Sequence, residues 1–286
     1  MKSAESRISF NSINACVLGR VCRYRRAMRI CLLAAMLAGS AAAQSLTDPP
    51  TIVQFVRKPG ISGASLKPYA EAGAALNVVG MAAVTGLPET WLVECHYSFA
   101  SVENLDQRVA AATPVRPSAD ASDPAQDDVL APSRTMLSLY RPNWSYRADQ
   151  AIRAFPRARY FQVSIFRIRP GTEADFSELI RLRRASADVI NLDRPELAYQ
   201  VISGAPSGTI IFLSPIQTLR NFDEGVNPVP VFAEGLAAAK AKDGSKLAAD
   251  TEISREHLIF RVEPRISYVS SDFADVDPEF WRSKKR

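Results

Sequence analysis

Apolar and other residues alternate along Tyr160-Phe-Gln-Val-Ser-Ile-Phe-Arg-Ile168 with the two-residue period of a half-buried strand, and Arg169-Pro-Gly171 stops the run. The period then changes. Phe176, Leu179, Ile180, Ala187 and Ile190 fit one face of a 3.6-residue repeat, which predicts a helix from Thr172 to about Ile190. Thr172 stands at its N-cap position, with Asp175 three residues on. Glu173 and Asp175 occupy the first turn, and Arg181, Arg183 and Arg184 come later, the order a helix dipole favours. Strands are then predicted over Leu197–Ser203 and Thr209–Leu213, joined through Gly204-Ala-Pro-Ser-Gly208. A helix at about Gln217–Asp223 follows, then an Ala/Lys-rich helical segment over Phe232–Ala249, expected to break at Gly244. His257–Val262 is the last long strand, extended through Pro264 to Val269.

The first half reads in the same order with weaker signals. A strand over Thr51–Arg57 ends at Pro59-Gly60, and an Ala-rich helix is predicted over Leu66–Leu76. Strands follow at Asn77–Thr85 and Trp91–Ser98, separated by the turn Gly86-Leu-Pro-Glu89. A helix over Val102–Ala112, a strand over Met136–Tyr140 and a short helix over Asp149–Phe155 complete it. Between them, residues 113–132 hold Pro114, Pro117, Pro124 and Pro132 among Ala, Ser and Asp. Such a stretch buries too little to offset its ordering entropy and reads as a flexible loop.

Short matches tie the halves together. Lys58-Pro-Gly60 corresponds to Arg169-Pro-Gly171, Val84-Thr-Gly86 to Ile202-Ser-Gly204, and Asn104-Leu-Asp-Gln107 to Asn221-Phe-Asp-Glu224. Pro142-Asn-Trp-Ser-Tyr146 corresponds to Pro264-Arg-Ile-Ser-Tyr268. They occur in the same order, at spacings that drift slowly. The expected class is therefore α+β: two tandem ferredoxin-like βαββαβ repeats, residues 44–150 and 151–286, each an antiparallel sheet with helices on one face. Each sheet's other face needs a cover, and the sister repeat is the obvious one.

The strand–Pro-Gly–helix unit, the aromatic Phe176 early in its helix and the strand pair joined by a Gly-Pro-Ser-Gly turn resemble the dimeric α/β-barrel superfamily. That group includes antibiotic-biosynthesis monooxygenases, NIPSNAP-like proteins and haem-associated relatives. The resemblance implies that two sheets pair into a barrel, here within one chain. It also implies a pocket between sheet and helices or inside the barrel, and it transfers no catalytic residue.

Charge changes little in this picture. The formal net charge of +5 rests on 35 basic and 30 acidic residues. Removing residues 1–43, with seven Lys/Arg and Glu5, leaves 28 basic against 29 acidic. No basic stripe remains for nucleic acid to engage. The leader itself has the form of a secretory signal. Arg23-Tyr-Arg-Arg26 and Arg29 precede the apolar run Ile30–Leu37, and Gly39-Ser-Ala-Ala-Ala43 offers an Ala41-x-Ala43 cleavage site before Gln44. The run is well short of the ~20 residues that span a bilayer, so no membrane anchor is expected after cleavage. Met28 could itself start a compact signal. A periplasmic or secreted protein is expected. Cys16, Cys22 and Cys31 leave with the leader, and Cys95 remains as a core thiol with no disulfide or metal spacing around it.

Candidate chemistry is sparse. On Trp91–Ser98 the alternation puts Trp91, Val93, Cys95 and Tyr97 on one face, expected under the helices, and Leu92, Glu94 and His96 on the other, expected inside the barrel. Glu94 and His96 could form an acid–base pair there. His257 is the other histidine; either His could ligate haem iron, although an ordinary strand-end histidine is the more economical reading. Tyr199 is a further pocket candidate. By the same parity, Phe161, Val163 and Ile165 should face the helices and Gln162, Ser164 and Phe166 the space between the sheets. The arginine run at Arg181–Arg184 could bind an anion, but reads better as a solvated helix face. GxSxG, HExxH, GxGxxG before a helix and a phosphate-cradling loop are absent, which disfavours hydrolase, kinase and dinucleotide chemistry. The expected function is binding of a small apolar ligand or a partner, by a monomer or homodimer, with no cofactor assigned. The alternative is a cofactor-independent or haem-associated small-molecule monooxygenase. A third reading uses residues 113–132 and 226–254 as partner-binding arms.

Overall fold

Strands β1 (Ile52–Pro59), β2 (Asn77–Ala83), β3 (Glu89–His96) and β4 (Arg134–Tyr140) come from the first repeat, and β5 (Tyr160–Ile168), β6 (Leu197–Ser203), β7 (Thr209–Ile216) and β8 (Glu252–Val262) from the second. The structure is a computed structural model and describes residues 47–60, 76–112, 133–189, 194–222 and 236–283. The predicted leader, the predicted loop 113–132 and all but Leu76 of the helix predicted over Leu66–Leu76 lie outside the described residues. The described helices are α1 (Phe99–Ala112), α2 (Ala148–Ala154), α3 (Glu173–Val189), α4 (Leu236–Thr251), α5 (Ser271–Asp275) and α6 (Pro278–Trp281).

The strands hydrogen-bond in the order β1-β3-β2-β8-β5-β7-β6-β4, and β4 returns to β1 to close a barrel. Every neighbouring pair is antiparallel. Cut at two places, the ring gives β4-β1-β3-β2 and β8-β5-β7-β6, the same ferredoxin-like order twice. The cuts fall where β2 meets β8 and β4 meets β6. Closure leaves no sheet edge exposed for pairing with another chain. This is a dimeric α/β barrel built within one chain.

Both seams are finished by the recurring Pro-x-x-Ser-Tyr motif. Pro142–Trp144 and Pro264–Ile266 each form a 3-10 turn that carries the chain across to the other sheet. Tyr146 then bridges Glu196 beside β6, and Tyr268 bridges Val78 on β2. The crossing at β2 is close. A Cβ placed on Gly80 would lie 2.3 Å from the Ile266 carbonyl oxygen, so this position must stay bare. The hairpin glycines Gly86 and Gly204 occupy matching left-handed conformations, φ 84° and 83°, which a side chain would strain.

The barrel interior is a packed core. Val53, Phe55, Val79, Met81, Trp91, Val93, Cys95, Met136, Phe161, Val163, Tyr199, Val201, Ile211, Leu213, Leu258, Phe260 and Val262 bring all eight strands into one apolar cluster. Trp91 packs between Phe55 and Phe260, with ring centroids 5.8 and 5.2 Å away. The expected faces are therefore reversed. Trp91, Val93 and Cys95 point into the barrel, and Leu92, Glu94 and His96 lie on the outer face, where Leu92 packs with Leu105 of α1. Phe161 and Val163 also point inward, whereas Phe166 packs outward against Phe176 of α3. The reason is volume: the space between two sheets needs the bulkiest apolar residues, whereas a helix covers its sheet incompletely and leaves room for polar ones.

Four local expectations also change. α4 runs unbroken through Gly244, and an added Cβ there would meet Leu182 of α3 at an easy 4.0 Å. A helical glycine costs only about 1 kcal/mol, which helix packing offsets. β8 starts at Glu252, five residues before His257, because β5 pairs with it along that length. β7 continues through Pro215 to Ile216, and the helix expected at 217–223 is a single 3-10 turn, Leu219–Phe222.

Candidate functional site

On the outer face of the second sheet, one helical stripe changes character along its length. Phe176, Leu179 and Ile180 of α3 pack on Phe166, Ile168, Ala198, Ile210 and Phe212. One turn further, the same stripe continues as Ile180, Arg183, Arg184 and Ala187, and there helix and sheet part around a cavity of about 290 Å³. Its floor comes from Gln162, Ser164 and Phe166 of β5, Phe212 and Ser214 of β7, and Arg255 and His257 of β8; Arg194, Glu196 and Tyr146 complete the wall.

Polar partners fix much of this lining. Glu252 accepts from both Arg183 (2.5 Å) and Arg255 (2.7 Å), and both guanidiniums lie over the Phe166 ring, at 5.0 and 5.5 Å. Arg194 donates to the Asn221 carbonyl at 3.2 Å and lies over Phe222. His257 Nδ1 and Ser164 Oγ are 2.8 Å apart. Burial, then Arg255 and Arg183, pull the His257 pKa down, against the pull of Glu252. Burial pushes the Glu196 carboxyl up to about 7, against Arg183, Arg184 and a hydrogen bond from Ser214, which lower it. Arg184 is the exception: its Nε and Nη2 atoms are buried and meet no hydrogen-bond partner among the described residues.

Of the four residues singled out from the sequence, His257 alone lines this cavity. Glu94 and His96 are brought together, with His96 Nε2 3.8 Å from Glu94 Oε2, but on the first sheet's outer face. Both are 1% exposed, and His96 Nδ1 is tied to Ser101 Oγ of α1 at 3.0 Å. Tyr199 belongs to the barrel core, packed edge-on against Phe55 and tilted against Tyr140. The four do not form one site. Arg194, Glu196 and Arg255 are cavity residues that sequence reasoning missed, and Arg183 and Arg184 entered it only within an arginine run read as a solvated helix face. The arginine run itself divides: Arg181 pairs with Glu178 on the exposed face of α3, as a solvated face would, whereas Arg183 and Arg184 turn inward. The usable signal was their position three and four residues after buried Ile180.

On the outer face of the first sheet, Val56, Val78 and Leu92 pack with Leu105 of α1. Among the described residues no group of three or more His, Cys, Asp or Glu is placed to hold a metal ion.

No protein-family model and no curated protein matches the chain. Solved structures of related fold include an anthrone oxidase-like protein, 11% identical with a TM-score of 0.46, over 77% of this chain and 94% of that one. A chlorite dismutase from Candidatus Nitrospira defluvii in complex with imidazole is 10% identical with a TM-score of 0.42, over 81% and 98%. A candidate monooxygenase from Lactobacillus acidophilus NCFM is 8% identical with a TM-score of 0.43, over 77% and 96%. Likeness at this level transfers neither residues nor activity to this chain.

Proposed function

We propose that this is an exported α/β-barrel protein that binds a small molecule between α3 and the sheet of its second repeat. The observation that carries the reading is the contrast between two spaces. The barrel interior is filled by side chains from every strand, whereas the cavity under α3 is open and mixes apolar walls with convergent polar groups. Of the two pocket positions the resemblance implies, between sheet and helices or inside the barrel, the second is filled by packed side chains. Export rests on the leader sequence. Ligand-dependent shifts in thermal unfolding test the proposal: a bound compound must raise the midpoint, and Phe212→Ala or Ala187→Trp in the cavity wall must change that shift. A protein that no compound from a chemically diverse panel stabilises would refute it.

A second reading, small-molecule oxygenation or haem chemistry, has one observation in its favour, the His257–Ser164 pair in the cavity lining. The fit to haem is poor. About 290 Å³ lies at the lower edge of the roughly 300–1,000 Å³ usual for small-molecule pockets, and a tetrapyrrole needs more. His96, the other histidine, is enclosed beneath α1. Haem titration followed in the Soret band is expected to show no shift; a shift lost in His257→Ala would replace the first reading with this one.

A further inference from the structure

We infer that the ligand of the α3 cavity is a small organic anion, a carboxylate or phosphate monoester on an apolar body, with its charged end on Arg184. This rests on the proposed ligand cavity and names the chemistry that would fill it.

The assignment comes from the arginines already engaged elsewhere. Arg57 presents its Nε and Nη2 edge to Glu89 at 3.1 and 2.9 Å. Arg181 uses the same edge on Glu178, and Arg255 uses it on Glu252. In this chain the Nε–Nη2 edge of a guanidinium is the one that takes a carboxylate, as its fork geometry favours. In Arg184 that edge is buried and meets no acceptor among the described residues. A buried cationic fork without an acceptor is unfavourable, and an incoming oxyanion would relieve it with two charge-assisted hydrogen bonds.

The described neighbouring groups do not supply that acceptor. Arg183 and Arg255 share Glu252, and Arg194 is held by the Asn221 carbonyl. Glu196 influences Arg184 through its charge, while its hydrogen bond comes from Ser214. The cavity lining thus carries Arg183, Arg184, Arg194 and Arg255 against Glu196, with Glu252 behind offsetting one more positive charge. Among the described residues a surplus of positive charge remains. Ile180, Ala187 and Phe212 line the same space and suit an apolar body rather than a bare inorganic ion.

Calorimetric titration of the whole purified chain with benzoate, phenyl phosphate, neutral benzamide and inorganic phosphate tests this. Benzoate or phenyl phosphate is expected to bind at least tenfold more tightly than benzamide. Arg184→Gln should lose at least tenfold in that affinity, Arg184→Lys should lose less, and the surface control Arg181→Gln should match the native protein. Arg184→Lys retains the cation and tests the site if the glutamine variant does not fold. Equal binding of benzamide and benzoate, or unchanged affinity in both Arg184 variants, overturns the anion assignment and leaves the cavity reading standing. Tight binding of inorganic phosphate alone overturns the apolar body. Failure of all four probes, together with the absence of stabilisation by any neutral compound, overturns the cavity reading and this inference with it.

Discussion

Ser145 and Ser267 make the same pair of hydrogen bonds on opposite seams of one barrel. Ser145 Oγ accepts from the Ala198 N–H at 2.9 Å and donates to the Arg141 carbonyl. Ser267 Oγ accepts from the Gly80 N–H at 2.9 Å and donates to the Glu263 carbonyl. Each hydroxyl closes its own 3-10 turn and satisfies a backbone donor of the other repeat's sheet. Next to each, a tyrosine backbone pairs in both directions, Tyr146 with Glu196 and Tyr268 with Val78. The recurring Ser-Tyr pair is thus the fastening between halves.

Ser145→Ala and Ser267→Ala should each leave a seam N–H without its acceptor and lower stability by about 1–3 kcal/mol. The two sites share no partner, so the double variant should lose close to the sum. Urea unfolding midpoints measure this. An unchanged midpoint in either single variant would show that its seam does not depend on the hydroxyl.

Cys95 should be chemically silent in the native protein. It is 3% exposed, and burial, aided by the charge of Glu94, pushes its thiol up to about 12. Nucleophilic reactivity requires the thiolate, which is then scarce at pH 8. Ellman's reagent is expected to find no fast-reacting thiol in the folded, leader-free chain and one per chain in denaturant. Rapid labelling of the folded protein would contradict the inward orientation of β3.

Glu196 should make stability fall as pH rises through neutrality. Its carboxyl is raised from 4.5 to about 7, so the native state holds the proton more tightly than the unfolded chain. The stabilisation is fully present below about pH 4.5 and is lost as pH rises toward 7, with a slope of at most about 1.4 kcal/mol per unit. Glu196→Gln should lack this slope and should gain on the native protein between pH 5 and 8. Unfolding free energies of the two proteins at several pH values give the difference curve; a flat one would falsify the assignment.

Export predicts a chain that begins at Gln44. Expression in a host with a general secretion system should yield mature protein outside the cytoplasm, and its intact mass should correspond to loss of residues 1–43. Ala43→Leu should block processing. A mature chain that retains Met28–Ala43 would refute cleavage at this site.

Much of the architecture was legible in order and period. β5 and β6 have the bounds that alternation predicts, and the sister Pro-Gly, Gly and Pro-x-x-Ser-Tyr matches mark equivalent places in two copies of one plan. The candidate site was far less legible. Arg183 and Arg184 look like surface arginines in sequence, and Arg181 beside them is one. Arg194 with Glu196, Ser214 and Arg255 come from three separate segments, and no local pattern joins them.

The strand Tyr160–Ile168 shows where the division falls. Its alternation determines that Phe161 and Val163 share one face and Gln162, Ser164 and Phe166 the other, because successive side chains of a strand point to opposite sides. Alternation is unchanged when the two faces are exchanged, so it cannot say which one is inside. That choice follows from the second sheet, which demands large apolar residues across the barrel, and from α3, which covers Phe166 but stands off from Ser164 and Gln162. Two repeats and their strands belong to the sequence; the inside of the barrel is decided only once the repeats close on each other, and the arginine-lined cavity outside it only once α3 packs on the second sheet.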